Sequence, residues 1–244
     1  MDIDRIRTEY EINSVLSEYL PQLRDFEIVF VCDDSTSMKI TVDGTANTRW
    51  NELCKIVKKL LPITLMFDDN GVDIHFLNRG RYPKVKNVAD VDHAFSGTPR
   101  GYTPLVSVLT DIFQSPMARR GREKKLLVLV ATDGRPTDED GNEQIEEFER
   151  LMRDTRNAET TYVSFLLCTD EQECVDYLTR WDRTMEHVDV TDDYRTETAK
   201  IRRCQEDPNY PFSYDDYIMK ALMGSIISQI DRLDEPIRRR MTRS

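Results

Sequence analysis

Apolar residues fall into two rhythms along this chain. Phe26-Glu27-Ile28-Val29-Phe30-Val31-Cys32, Leu126-Leu127-Val128-Leu129-Val130 and Tyr162-Val163-Ser164-Phe165-Leu166-Leu167 are runs with little alternation, as expected of strands covered on both faces. Val72 to Leu77 alternates and reads as another strand, and His187-Val188-Asp189-Val190 as a less apolar last one. Between these runs the apolar positions recur every three or four residues. Trp50, Leu53, Val57, Leu60 and Leu61 form one helical stripe behind the polar start Asn47-Thr48, with Pro62 expected to kink or end it. Leu105, Leu109, Ile112 and Phe113 make a second behind Pro104; Ile145, Phe148, Leu151 and Met152 make a third; Val175, Leu178 and Trp181 make a fourth. Ser213, followed by Asp215 and Asp216, predicts the capped start of a last helix with an apolar face of Ile218, Leu222, Ile226, Ile230 and Leu233.

Strands alternating with helices predict an α/β fold, a three-layer doubly wound arrangement with a mostly parallel central sheet flanked by helices. Arg5 to Leu20 also has helical character, and Arg81 to Gly101 reads as an edge strand and loop region. With 244 residues, one large core suffices. The expected organisation is a helical extension over 1–23, a main domain over 24–205, a C-terminal helix packing on it within 206–237, and a basic tail over 238–244.

Charge narrows the classes of partner. Lysine and arginine number 34 against 45 aspartates and glutamates, a formal net charge of −11, which repels nucleic-acid phosphates and anionic lipid but does not repel Mg²⁺. The one basic cluster, Arg238-Arg239-Arg240-Met241-Thr242-Arg243, reads as a solvated tail. No apolar stretch approaches the ~20 residues of a membrane helix, and Met1-Asp2-Ile3-Asp4-Arg5 lacks the apolar segment of a signal peptide. Five cysteines, odd in number and widely spaced, form no zinc pattern. The expectation is a cytoplasmic protein in a reducing compartment.

Candidate chemistry sits where strands end. Asp33-Asp34-Ser35-Thr36-Ser37 leaves the first apolar run, putting a carboxylate and two hydroxyls at alternate positions on one loop. Gly101-Tyr102-Thr103-Pro104 and Val130-Ala131-Thr132-Asp133-Gly134 follow later. Asp33, Ser35, Ser37, Thr103 and Asp133 together offer two carboxylates and three hydroxyls, an oxygen set suited to Mg²⁺, with Mn²⁺ or Ca²⁺ also acceptable. Each piece has a plainer reading. Thr103-Pro104 fits a helix cap followed by proline at the first helical position, Asp133-Gly134 is a common turn pair, and Asp68-Asp69-Asn70-Gly71 reads as a solvated turn. His75 reads as a packed strand residue.

The three segments together resemble the von Willebrand factor A domain and its metal-ion-dependent adhesion site. The resemblance covers roughly residues 24 to 205, with the terminal helices at or beyond its edges. It implies direct metal contact by Ser35 and Ser37, water-mediated contact by Asp33 and Asp133, and contact by Thr103 when a partner is bound. It further implies a partner protein whose Glu or Asp carboxylate completes the metal's shell. Asp34, Thr36, Tyr102, Gly134 and Arg135 are the residues expected to face that partner. Thr36 departs from the glycine common at its position, and its β-branch restricts the loop.

Three functions therefore compete. The first is a non-enzymatic, metal-dependent protein-binding module with an intracellular scaffold or assembly role. The second is a Mg²⁺-dependent phosphotransfer or receiver-type domain using Asp33 and Asp34, although Cys168-Thr169-Asp170 stands where a lysine would be expected. The third is a structural domain with a vestigial metal site.

Overall fold

A computed structural model describes residues 14–236 apart from Asp43, Arg122 and Asp170, and apart from the side chains of residues 14, 15 and 172–174. Most of the helix expected over Arg5 to Leu20, and all of the tail over 238–244, lie outside these residues. A helical turn at Ser14–Ser17 and a 3₁₀ turn at Leu20–Asp25 lead into the sheet.

Six strands form one sheet: β1 (Phe26–Cys32), β2 (Val72–Phe76), β3 (Gly80–Val85), β4 (Lys125–Thr132), β5 (Thr161–Leu167) and β6 (Val188–Thr191). Their order is β3-β2-β1-β4-β5-β6. All pairings are parallel except β2 with β3, which are antiparallel at the edge. Helices α1 (Arg49–Leu65), α2 (Val88–Ala94), α3 (Leu105–Phe113), α4 (Ile145–Arg150), α5 (Gln172–Thr184), α6 (Tyr194–Cys204), α7 (Tyr214–Met223) and α8 (Ser228–Asp231) flank the sheet. The expected three-layer, Rossmann-like α/β architecture is present.

The unalternating strands are explained by two cores, one on each face. Ile28, Phe30 and Cys32 of β1 join Leu53, Leu60, Tyr217 and Leu222 on one side. Val29 and Val31 join Leu105, Leu109, Phe148 and Trp181 on the other. Both faces of β1 and β4 thus demand apolar residues, each fully buried side chain stabilising by roughly 1.5–3 kcal/mol. The four predicted stripes become α1, α3, α4 and α5, and α4 runs on into a π-helical turn at Leu151–Thr155.

Three details differ from expectation. Pro62 does not end α1, which runs on to Leu65; it sits in the last turn, where little helix remains to be disrupted. The last helix starts at the predicted cap, with a reciprocal Ser213–Asp216 capping box, but it is broken into α7 and α8. The break falls where Gly224 presses on the sheet: a β-carbon there would lie 2.3 Å from the Asp189 carboxyl carbon. Helices α2 and α6, which the sequence did not announce, bury Val91, Ala94 and Ile201 in the core and start at capping side chains, Asn87 accepting from the Asp90 N–H at 3.0 Å and Asp193 from the Arg195 and Thr196 N–H groups.

From β1 the chain builds one wing through β2 and β3, and from β4 the other. The strand order therefore reverses between the carboxyl ends of β1 and β4, the position at which open α/β sheets place their ligands.

Candidate metal site

Asp33 is the first residue beyond β1, and its N–H continues the ladder to the Ala131 carbonyl at 2.9 Å. Asp133 is the first residue beyond β4. Ser37 Oγ donates to Asp133 Oδ1 at 2.7 Å, and the Ser35 and Ser37 hydroxyl oxygens lie 3.0 Å apart. The third loop is tied in by its backbone. Thr36 N–H donates to the Gly101 carbonyl at 3.1 Å, and Thr103 accepts from the Thr137 N–H at 2.9 Å, while its own N–H donates to the Thr137 hydroxyl. Backbone and side-chain bonds thus draw together all three loops predicted from sequence.

The donor set fits a small hard cation. Two ligands at right angles on Mg²⁺, with bonds of roughly 2.0–2.1 Å, lie about 2.9 Å apart, close to the 3.0 Å between Ser35 and Ser37 Oγ. Thr103 is only 7% exposed, yet its hydroxyl makes no hydrogen bond among the described residues. It does not cap α3 as the plainer reading supposed: Pro104 occupies the cap position, with no side-chain cap. The carboxylates are already engaged. Asp33 accepts from Ser35 N–H at 2.8 Å and from Thr132 Oγ1 at 2.7 Å, and Asp133 from Ser37 Oγ and Arg49 Nη1. Burial, then the nearby Asp133, pushes the Asp33 carboxyl up to about 7.

The residues expected to face a partner divide. Thr36 and Arg135 are exposed, Gly134 is half-buried and Tyr102 is 52% exposed. Arg135 pairs with Glu143 at 2.9 Å. Thr36 lies outside the left-handed region and its hydroxyl donates to the Gly101 carbonyl, so the β-branch is accommodated. Asp34 does not face outward. It is fully buried, accepting from Asn78 N–H at 2.8 Å and Asn78 Nδ2 at 3.1 Å and from Arg79 Nε at 2.8 Å. Asn78 Nδ2 also donates to the Tyr102 carbonyl. Gly101, at φ +88°, makes room for that bridge, since a β-carbon there would meet Asn78 Oδ1 at 2.4 Å. Asp34 is a structural rivet between β1 and the Gly101–Thr103 loop.

Sequence reasoning missed Arg49. The first residue of α1 is only 6% exposed; one guanidinium nitrogen lies 2.9 Å from Asp133 Oδ2 and another 2.7 Å from Glu171 Oε1. Burial alone would weaken this cation, but the bonds from Glu171 and Asp133 outweigh it, so Arg49 holds its proton more tightly than a free arginine. Arg49 also borders a cleft of about 1270 Å³ that runs over the ends of β5 and β6 and is walled by Tyr194, Tyr214 and Tyr217. The signal in the sequence was a cation placed directly after the helix cap Thr48, where the helix dipole disfavours it.

A second acidic group lies against the edge strand β6. Asp182, Asp189 and Asp231 bring carboxylate oxygens within 4.8 Å of one another. A cation already serves this region: buried Lys220 lies 3.4 Å from Asp189, 3.5 Å from Glu197 and 3.9 Å from Asp234. Burial alone would lower the Lys220 ammonium, but these carboxylates raise it well above the usual lysine range.

No helix among the described residues is long and apolar enough to cross a membrane. In comparisons with known proteins, no family model matches this chain and no curated protein matches it.

Proposed function

We propose that this chain is a non-enzymatic protein-binding module that recognises a partner's Glu or Asp carboxylate through a divalent cation, Mg²⁺ by preference, in an intracellular scaffold or assembly role. The observation that carries this reading is the 3.0 Å spacing of the Ser35 and Ser37 hydroxyls beside the Thr103 hydroxyl, which has no hydrogen bond among the described residues. Ser35 and Ser37 would hold the cation directly, with Thr103 as a third hydroxyl. Ser37 gives its hydrogen to Asp133 and accepts the hydrogen of Ser35, so each oxygen still has a lone pair for a cation, while Asp33 and Asp133 would supply charge through water. Bound Mg²⁺ would supply an electrophilic position for an anionic oxygen. Neutral hydroxyls quench that electrophilicity little, so the position favours a carboxylate. An acidic chain that recruits an acidic group needs such a bridge. Exposed Tyr102 and Thr36 flank the loops and supply contact area beside it.

Calorimetric titration of Mg²⁺ into the whole chain and into Ser35→Ala/Ser37→Ala tests the site. Saturable binding to the first and none to the second is expected. Equal binding to both removes the reading. With Mn²⁺ in place of Mg²⁺, a glutamate-bearing peptide is expected to displace metal-bound water and lower the water-proton relaxation rate.

A further inference from the structure

Arg49 is placed where a cation gains nothing from its helix. It opens the 17-residue α1, at the end whose dipole favours anions, yet it is buried and holds two carboxylates at once. The inner one, Asp133, is fully shielded, with a side chain 0% exposed; the outer one, Glu171, is 57% exposed. Arg49 is therefore a bridge from the floor of the metal loops to solvent. Without it, Asp33 and Asp133 would be two buried carboxylates with no facing cation from the described residues of their own loops.

We infer that Arg49 is the internal counter-cation of this site, and that Glu171 sets how firmly it rests on Asp133, so that divalent-cation affinity is the outcome of a competition between guanidinium and metal. The inference rests on the metal-binding reading above and adds its regulation. Arg49 on Asp133 takes one unit off the negative charge that the site's carboxylates present to an arriving cation. A doubly charged ion arriving beside Asp133 meets that guanidinium. A single and a double positive charge about 6 Å apart, even screened as in water, cost about a factor of ten in affinity. Glu171 relieves part of this by drawing the guanidinium outward. A change at Glu171, such as its capture by a partner's basic group, would remove the outer of the two carboxylates that share Arg49, settle the guanidinium more firmly on Asp133 and loosen the metal.

Mn²⁺ binding to the whole chain, followed by electron paramagnetic resonance, tests this with Arg49→Gln, Glu171→Gln and the double variant. Arg49→Gln is expected to bind Mn²⁺ about tenfold more tightly than the wild type, and Glu171→Gln several-fold more weakly. In the double variant the Glu171→Gln effect is expected to vanish, because Glu171 acts through Arg49. Wild-type binding that Arg49→Gln leaves unchanged or weakens overturns the inference while leaving the metal reading intact. So does a Glu171→Gln effect that persists in the double variant, which would show the glutamate acting directly on the ion. Glu171 is on the surface, so that single variant keeps the test available if Arg49→Gln does not fold: unaltered Mn²⁺ affinity there is also fatal. Absence of Mn²⁺ binding in all four proteins removes the inference together with the reading beneath it.

Discussion

Replacing Lys220 with methionine puts the buried charge network to a quantitative test. The lysine is fully buried on α7, and the carboxylates of Asp189, Glu197 and Asp234 lie 3.4, 3.5 and 3.9 Å from its ammonium. They come from β6, α6 and the turn after α8, so one cation ties three elements together. Methionine keeps the length and the apolar stem but removes the charge. Stripping one partner from a buried ion pair costs about 3–5 kcal/mol, because the remaining charge is left uncompensated. Here Asp189 and Glu197 lose their ion-pair cation while Asp234 keeps its pairing with Lys200, which places the expected loss at pH 8 in that range. The structure also sets how the loss depends on pH. Burial pushes the Glu197 carboxyl up to about 7 and raises Asp189 as well, so both accept protons readily as pH falls. Their neutral forms need Lys220 less, and the loss should shrink at pH 5.5. Urea denaturation of wild type and Lys220→Met at both pH values, read as midpoint at constant slope, measures this. A loss under about 1 kcal/mol at pH 8 would refute the reasoning; so would one equally large at pH 5.5.

Further outcomes follow from other parts of the structure. Ser37→Ala removes the hydroxyl that donates to Asp133 and neighbours Ser35; we expect a stability loss of about 0.5–1.5 kcal/mol without metal, and loss of any Mg²⁺-induced rise in melting temperature by scanning calorimetry. Gly224→Ala drives a methyl group to 2.3 Å from the Asp189 carboxyl carbon; overpacking of this kind costs about 1–3 kcal/mol, and an unchanged melting temperature would show that the contact yields freely. Stability itself should fall on the alkaline side. Burial and neighbouring carboxylates push Asp182 up to about 7 and Asp231 up to about 8. A carboxyl raised in the fold binds its proton more tightly folded than unfolded, so its contribution is complete below about pH 4 and is lost as pH rises through 7 to 8. Asp231→Asn should flatten that fall in a series of melts between pH 5.5 and 8.5; a wild type that gains stability across this window contradicts the assignment.

Much of the fold was legible because its causes are local. β1, β4 and β5 are buried on both faces, so their apolar runs appear directly in the sequence, and α1, α3 and α5 show their core-facing stripes. The oxygen-bearing residues were legible because each follows a strand or precedes a helix, and the sheet order brings those ends together. What escaped notice depends on distant partners. Asp34 resembles Asp33 in sequence, but Asn78 and Arg79, over forty residues on, turn it inward. Lys220 sits among Ile218, Met219 and Leu222, where a charge should have signalled a buried pair; its partners Asp189 and Glu197 lie on other elements. The break between α7 and α8 required knowing that Gly224 touches Asp189. Arg49 was hidden for the same reason, since Asp133 lies 84 positions away.

The antiparallel edge formed by β3 bears on self-association. Pro83 removes a backbone donor from that strand, exposed Arg81 and Lys84 add charge, and Lys84 adopts φ +54° near a shift in pairing with β2. A strand so interrupted is a poor template for another chain's backbone. Edge-to-edge addition of a strand from a second molecule at β3 is therefore disfavoured by the chain's own backbone.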